Sequence, residues 1–351
     1  MKQKFSVSIW VTRRCNFRCT YCYEKSKYGA EDLSYETANR IIDFVKENIK
    51  EGQALSVHFH GGEPTLNFEV IKHIVNRFEK EISNEKTFGI TTNCSVLDDE
   101  MIDYICDHMA KGISLSIDGN KETHELNRKC IVGNVFYEDI LKNALRLSEK
   151  NDMVRIRMTY TPRTAFHLYE NIKYLIELGF SEIVPIADFC SKEWTSEDFD
   201  IVEEQFKNIK RYLFENNRKI IDFDELSGEF RGKGICSGGR DHYSVNVNGD
   251  IYPCIMVVGD DVHKIGNVFT GLDKEKIEQI TKINCSRDKV EACGDCELSR
   301  YCESTRCLLV NYALNGDYYK PNLVNCNLMN IKYNLCDFME YQNDNINEMI
   351  L

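Results

Sequence analysis

Over its first 190 residues the chain alternates short β-rich runs with longer amphipathic runs, the rhythm of βα units built around a parallel sheet. The β-rich runs are Ser6 to Val11, Leu55 to His60, Phe88 to Thr92, Ile113 to Asp118, Val154 to Tyr160 and Ile183 to Ala187. Between them the periodicity predicts helices over Ser34 to Ile49, Phe68 to Ile82, Asp98 to Met109, Tyr137 to Lys150 and Leu168 to Leu178. Ile41, Phe44, Val45 and Ile49 form one apolar stripe, as a helix covering a sheet requires. A further helix is expected over Glu197 to Asn216. The fold class is therefore α/β.

From about Leu226 the texture changes. Gly228, Gly232, Gly234, Gly238 and Gly239 crowd one loop, and nine of the sixteen cysteines lie beyond it. The division expected is residues 1–190, a bridge over 191–230 and a second domain over 231–351. In that last part a hairpin is expected from Ser244 to Asn248 and Asp250 to Pro253, turning through Asn248 and Gly249. The rest reads as too poor in regular structure to fold on apolar burial alone, so metal clusters are expected to staple it.

With 351 residues, 42% of them hydrophobic, the chain can bury a large core. A formal net charge of -12 leaves no basic excess with which to displace counterions from a nucleic acid. No apolar run approaches the roughly 18 to 20 residues that span a bilayer, and the amino terminus lacks the apolar stretch of a secretory signal. The expected compartment is the cytoplasm, where cysteines read as metal ligands or catalysts and disulfides are rare.

Cys15-Asn-Phe-Arg-Cys19-Thr-Tyr-Cys22 follows directly on the first strand. Three thiols thus leave the carboxyl edge of the sheet, where parallel α/β folds bind ligands. The spacing alone admits a zinc knot or packed thiols as well as an iron-sulfur cubane, which would have one of its four irons left open. Two glycines and a carboxylate in His60-Gly61-Gly62-Glu63-Pro64 suit close backbone approach and an ammonium group. Ser114-Leu-Ser116-Ile-Asp118-Gly119 ends the fourth run, and Asn127-Arg128 follows.

Together these motifs resemble the radical S-adenosylmethionine (SAM) superfamily, whose aromatic before the third cysteine is matched by Tyr21. The resemblance implies a partial (β/α)6 barrel, related to the TIM barrel and open on one side, with a [4Fe-4S] cluster on Cys15, Cys19 and Cys22. It implies SAM contacts from Tyr21, Gly61, Gly62, Glu63, Pro64, Ser116 and Arg128. At the family's Thr-Asn-Gly position this chain reads Thr92-Asn93-Cys94, so the glycine is missing.

Cys236, twelve residues, Gly249, four residues and Cys254 resemble the opening of the SPASM auxiliary domain. Cys293-Gly-Asp-Cys296 follows, then Cys302 after five residues, Cys307 after four where the motif has three, and Cys326. The resemblance implies two auxiliary [4Fe-4S] clusters, one on Cys293, Cys296, Cys302 and Cys326, the other on Cys236, Cys254 and Cys307. Two cubanes closed by protein need eight ligands and the motif supplies seven, so one iron is expected to be open unless Cys285 or another thiol fills it.

Within the SPASM branch the wording from Cys236 to Cys254, with Lys264-Ile-Gly-Asn-Val268, is most similar to thioether-forming peptide maturases. The resemblance implies a 5'-deoxyadenosyl radical, a precursor peptide containing cysteine, and an electron donor such as flavodoxin or ferredoxin. Formylglycine formation is the alternative, although sulfatase-maturing relatives place an aspartate base where this chain has Ile255. Peptide epimerisation, carbon-carbon crosslinking and a non-catalytic electron carrier are the others. No catalytic residue is assigned. The segment Cys190 to Glu203 and the stretch after Cys254 are expected to line a peptide channel, and Cys94 is the thiol outside the motifs nearest a strand end.

Overall fold

The computed structural model describes residues 4–24, 28–133, 135–218 and 230–336. The expected boundary near Leu226 lies outside these residues. Six strands form the parallel core: β1 (Lys4–Thr12), β3 (Ala54–Gly61), β4 (Lys86–Thr92), β5 (Ile113–Ser116), β7 (Arg155–Tyr160) and β8 (Glu182–Ala187). They pair in that order, each parallel to the next. Helices α1 (Tyr35–Asn48), α2 (Phe68–Glu81), α3 (Asp99–Met109), α5 (Tyr137–Lys150) and α6 (Leu168–Glu177) connect them, with a short α4 (Lys121–Asn127) after β5. The architecture is an α/β partial barrel.

Strand alternation decides what the barrel holds. In β3, Leu55, Val57 and Phe59 are buried under the helices, while His58 and His60 face an internal cavity. In β7, Ile156, Met158 and Tyr160 are buried, while Arg155, Arg157 and Thr159 line the same cavity. Ser114 and Ser116 of β5 join them. The lumen is polar because every second residue of these strands is polar.

Two pairings join segments distant in sequence. First, a two-stranded ribbon joins β2 (Phe17–Cys19) to β6 (Arg128–Cys130) and sets Cys19 opposite Arg128. Second, the expected hairpin, observed as β9 (His242–Val245) and β10 (Asp250–Tyr252), is no separate sheet. β9 runs parallel to β1 and extends the barrel sheet, which continues through β10 into β11 (Gly266–Asn267) and β12 (Gly271–Leu272). Gly249, at φ 83°, makes the turn as expected.

The long helix α7 (Ser196–Glu215) opens on a Thr195/Asp198 capping box. Beyond the hairpin the structure is more helical than the sequence suggested: α8 (Lys274–Asn284), α9 (Glu303–Arg306), α10 (Leu308–Asn315) and α11 (Leu323–Asn334). Asp273 and Asn322 cap α8 and α11. These helices bury few residues each, so their apolar pattern is weak; Asn322 also donates to the Phe189 carbonyl at 3.0 Å, docking α11 on the end of the barrel. No helix among the described residues is long and apolar enough to cross a membrane.

Candidate active site

β1 ends at Thr12, and the loop that follows carries Cys15 back over the mouth of the barrel. Gly61 and Gly62 make that approach possible. A Cβ on Gly61, at φ 124°, would stand 2.2 Å from the Thr12 carbonyl oxygen, and one on Gly62 would stand 2.1 Å from that of Arg14. The backbone closes the contact: Gly62 N–H donates to Thr12 O at 3.0 Å and Glu63 N–H to Arg14 O at 2.8 Å.

Glu63 is 1% exposed and braces the neighbouring strand end. Its Oε1 accepts from Thr65 N, Thr65 Oγ1 and Thr92 Oγ1, and its Oε2 from Asn93 N. Pro64 opens the single helical turn Pro64–Asn67 behind it. At the missing glycine, Cys94 takes φ 62°, the left-handed region that glycine favours. Its side chain is fully buried, so this thiol packs in the core.

A buried carboxylate organises the opposite wall. Asp118, 0% exposed, accepts from Tyr21 Oη at 2.7 Å, Arg128 Nη2 at 2.9 Å and Thr159 N at 2.9 Å. Through it the aromatic beside Cys22, the arginine of β6 and strand β7 share one partner. Arg128 also lies over the Tyr21 ring, 5.3 Å from its centroid. Burial pushes the Tyr21 phenol well up, so it is neutral and donates. Asp118 was visible only as part of a motif; its role as the common acceptor follows from residues far apart in sequence.

These groups surround a cavity of about 450 Å³. Cys15, Cys19, Cys22, Tyr21, Gly61, Gly62, Glu63, Ser116 and Arg128 all line it, so the structure brings together the expected SAM-contacting residues other than Pro64. Sequence reasoning did not single out Tyr23, His60 or Asp188 there. Tyr23 Oη and His60 Nε2 are 2.6 Å apart. Cys190 lines the cavity as well, so it is the thiol outside the cluster motifs that reaches this chamber, in place of Cys94.

A second cavity, of about 780 Å³, shares Tyr21, Cys22, Tyr23, Asp188 and Cys190 with the first. Its outer walls include Ser191, Lys192, Glu193 and Met256. The two cavities adjoin at these five residues, and the second is bounded by part of the segment expected to line a channel.

All sixteen cysteines are free thiols. Cys15, Cys19 and Cys22 lie close enough to influence one another, and burial pushes Cys15 up to about 12 and Cys19 up to about 11. Cys15 and Cys19 are therefore protonated as free thiols, and taking up metal releases those protons. Of the auxiliary thiols, Cys293, Cys296, Cys302 and Cys326 lie within electrostatic reach of one another and Cys307 of Cys236, while Cys254 lies within reach of Tyr23. Gly238, whose N–H donates to Cys236 Sγ at 3.4 Å, has no room for a Cβ against the Pro253 carbonyl oxygen, so the loop bearing Cys236 lies against the residue before Cys254.

The donors fit iron-sulfur clusters and SAM. Among the described residues no three His, Cys, Asp or Glu side chains are grouped around one point as a single ion requires. A cubane instead spreads its thiolates over separate irons. For SAM, Gly61 and Gly62 line the cavity, and the buried Arg128 Nε has no hydrogen-bond partner in the protein, a donor free for a carboxylate.

Comparison with known proteins agrees with this architecture. The chain matches the Radical SAM superfamily over residues 9–164 and the SPASM iron-sulfur cluster-binding domain over residues 236–297. It is 28% identical over 269 residues to an uncharacterized protein of Methanocaldococcus jannaschii, covering 76% of this chain and 89% of that one. It is 25% identical over 352 residues to a cysteine-type anaerobic sulfatase-maturating enzyme of Clostridium perfringens, covering 89% and 95%. Its fold matches anSMEcpe with bound AdoMet and Cp18Cys peptide at a TM-score of 0.77 and 23% identity, covering 98% and 99%.

Proposed function

Because this chain is a radical SAM enzyme with a SPASM domain, we propose that it modifies a ribosomally made, cysteine-containing peptide by joining a cysteine sulfur to a carbon of another residue. The observation that carries this reading is the adjacency of the two cavities. The chamber beside the cysteine loop shares Asp188 and Cys190 with a larger space walled by Ser191 to Glu193 and Met256. Two adjoining spaces of this kind offer room for a peptide beside the radical-generating site. The relative from C. perfringens and the peptide-bound structure of the same fold support a peptide substrate.

Cys15, Cys19 and Cys22 would hold the SAM-binding cluster; Tyr21, Gly61, Gly62, Glu63, Pro64, Ser116 and Arg128 would shape the SAM site. Bound there, cluster and SAM supply a 5'-deoxyadenosyl radical able to take a hydrogen atom from an unactivated carbon. The protein positions that carbon and shields it, with Phe17, Ile186, Ala187 and Phe189 as the apolar part of the wall. Arg128, fixed by Asp118, would offer its unpaired Nε to the SAM carboxylate.

Ile255 favours thioether formation over formylglycine. It lines the inner chamber immediately after Cys254, and an apolar side chain there cannot take the substrate's proton. Residues 1–190, 191–230 and 231–351 would serve as radical-generating barrel, bridge and auxiliary domain, with flavodoxin or ferredoxin as electron donor.

The test is reconstituted enzyme with dithionite, SAM and a cysteine-containing peptide encoded beside its gene. Thioether formation removes two hydrogens and leaves the sulfur in the peptide, closed to alkylation. Formylglycine formation from cysteine removes the sulfur. Absence of 5'-deoxyadenosine with intact clusters overturns the radical reading altogether.

A further inference from the structure

The auxiliary cysteines leave two cubanes one protein ligand short, and we propose that Glu303 supplies it, closing the cluster held by Cys236, Cys254 and Cys307. This rests on the auxiliary-cluster assignment and is independent of the peptide chemistry.

Between Cys302 and Cys307 the chain has one residue more than the motif. Residues four apart are neighbours on a helical turn, and in the turn Glu303–Arg306 the lengthened spacing makes Glu303 the residue four before Cys307. Its Oε2 accepts from Cys307 Sγ at 3.1 Å. Its Oε1 is held by Lys233 Nζ at 2.9 Å, and Lys233 lies three residues before Cys236. The segments bearing Cys236 and Cys307 therefore both fix this carboxylate.

The arrangement has the form of a ligand and its orienting partner. A ligating carboxylate is itself hydrogen-bonded from outside; here Lys233 takes one oxygen and leaves the other facing the thiols. When Cys307 binds iron as a thiolate its proton leaves, and its hydrogen bond to Oε2 goes with it. Oε2 is then left beside the cluster while Lys233 keeps Oε1, so a neighbouring iron can take it; the competing partner is Arg306, whose Nη1 is 3.7 Å from Oε2 and 3.6 Å from Cys307 Sγ. Cys285, the thiol otherwise considered for this place, is exposed at the end of α8.

The deciding experiment needs neither SAM nor peptide. A variant lacking Cys15, Cys19 and Cys22 is reconstituted so that only auxiliary clusters form, with carbon-13 in the glutamate carboxyl groups, and reduced. Electron-nuclear double resonance is expected to show a coupling from a directly bound carboxyl carbon. Glu303→Ala in the same background should lose that coupling and keep its iron per chain. No carboxyl coupling in the parent overturns the assignment and leaves Glu303 to Lys233 and Arg306. A coupling unchanged in Glu303→Ala overturns it as well. If Glu303→Ala loses iron, Glu303→Asp is read in its place: loss of the labelled glutamate coupling supports the assignment, and an unchanged coupling overturns it.

Discussion

Cys15, Cys19 and Cys22 follow a strand buried along most of its length, whereas Cys293, Cys296 and Cys302 stand on turns over a small cluster of Leu298, Cys302 and Met329 with Phe230 and Tyr301. The main core reaches from Phe5 through the covering helices and the hairpin to Ile280 of α8, Leu309 of α10 and Val324 and Ile331 of α11, and the cysteine-bearing turns lie outside it. Apolar burial can therefore place the first set of thiols before any metal arrives. The second set lies where burial contributes little, so its clusters are expected to serve as structure too.

The largest expected effect separates the two regions directly. Cys302→Ala should destabilise the auxiliary region by on the order of 5 kcal/mol through loss of a ligand. Limited proteolysis should then cut beyond residue 230 while the barrel stays protected. Cys19→Ala should abolish 5'-deoxyadenosine production and cost only about 1 kcal/mol. Equal loss of stability in both variants would break the comparison.

Next is the pair Asp118–Arg128, whose side chains are 0% and 7% exposed. Asp118→Asn should cost about 3 to 5 kcal/mol, because it leaves Arg128 buried without a counter-charge. Denaturant unfolding measures the loss, and SAM affinity should fall with it.

His124 sharpens the contrast through pH. Burial, with Arg128 nearby, lowers it from 6.5 to about 4. Its neutral form stabilises the fold above the unfolded value near 6.5, and that contribution is lost as pH falls toward 4, because the unfolded chain binds the proton first. The loss amounts to roughly 3 kcal/mol. Thermal unfolding followed from pH 7 to pH 4 should show it, and His124→Gln should flatten that slope.

The smallest effect is expected at Cys94. Cys94→Gly relieves the left-handed backbone but removes a buried thiol, and these oppose each other to within about 1 kcal/mol. A change well beyond that, read as a shift in midpoint at constant denaturant slope, would show that one term dominates.

Much of the barrel was legible because its signals are local. Tyr137 to Lys150 is helical over the residues its periodicity predicts, and the six β runs lie within a few residues of the strands. The auxiliary helices were not legible, because α8 and α11 draw on caps and distant partners more than on a continuous apolar stripe. Cys94 and Cys190 show the same limit at the site. A position at a strand end suggested the first thiol, but a positive φ turns it into the core, and the second reaches the cavity from beyond β8.

Local sequence carries the alternation that makes the lumen polar and the spacing that gathers three thiols on one loop. Those properties depend on neighbours a few residues apart. Only the tertiary structure decided that Tyr21 meets Asp118 across 97 residues, that β9 joins the free edge of β1, and that Glu303 faces Cys307 while Lys233 holds its other oxygen. Such meetings follow from burying strands and helices against one another, and no local period encodes them.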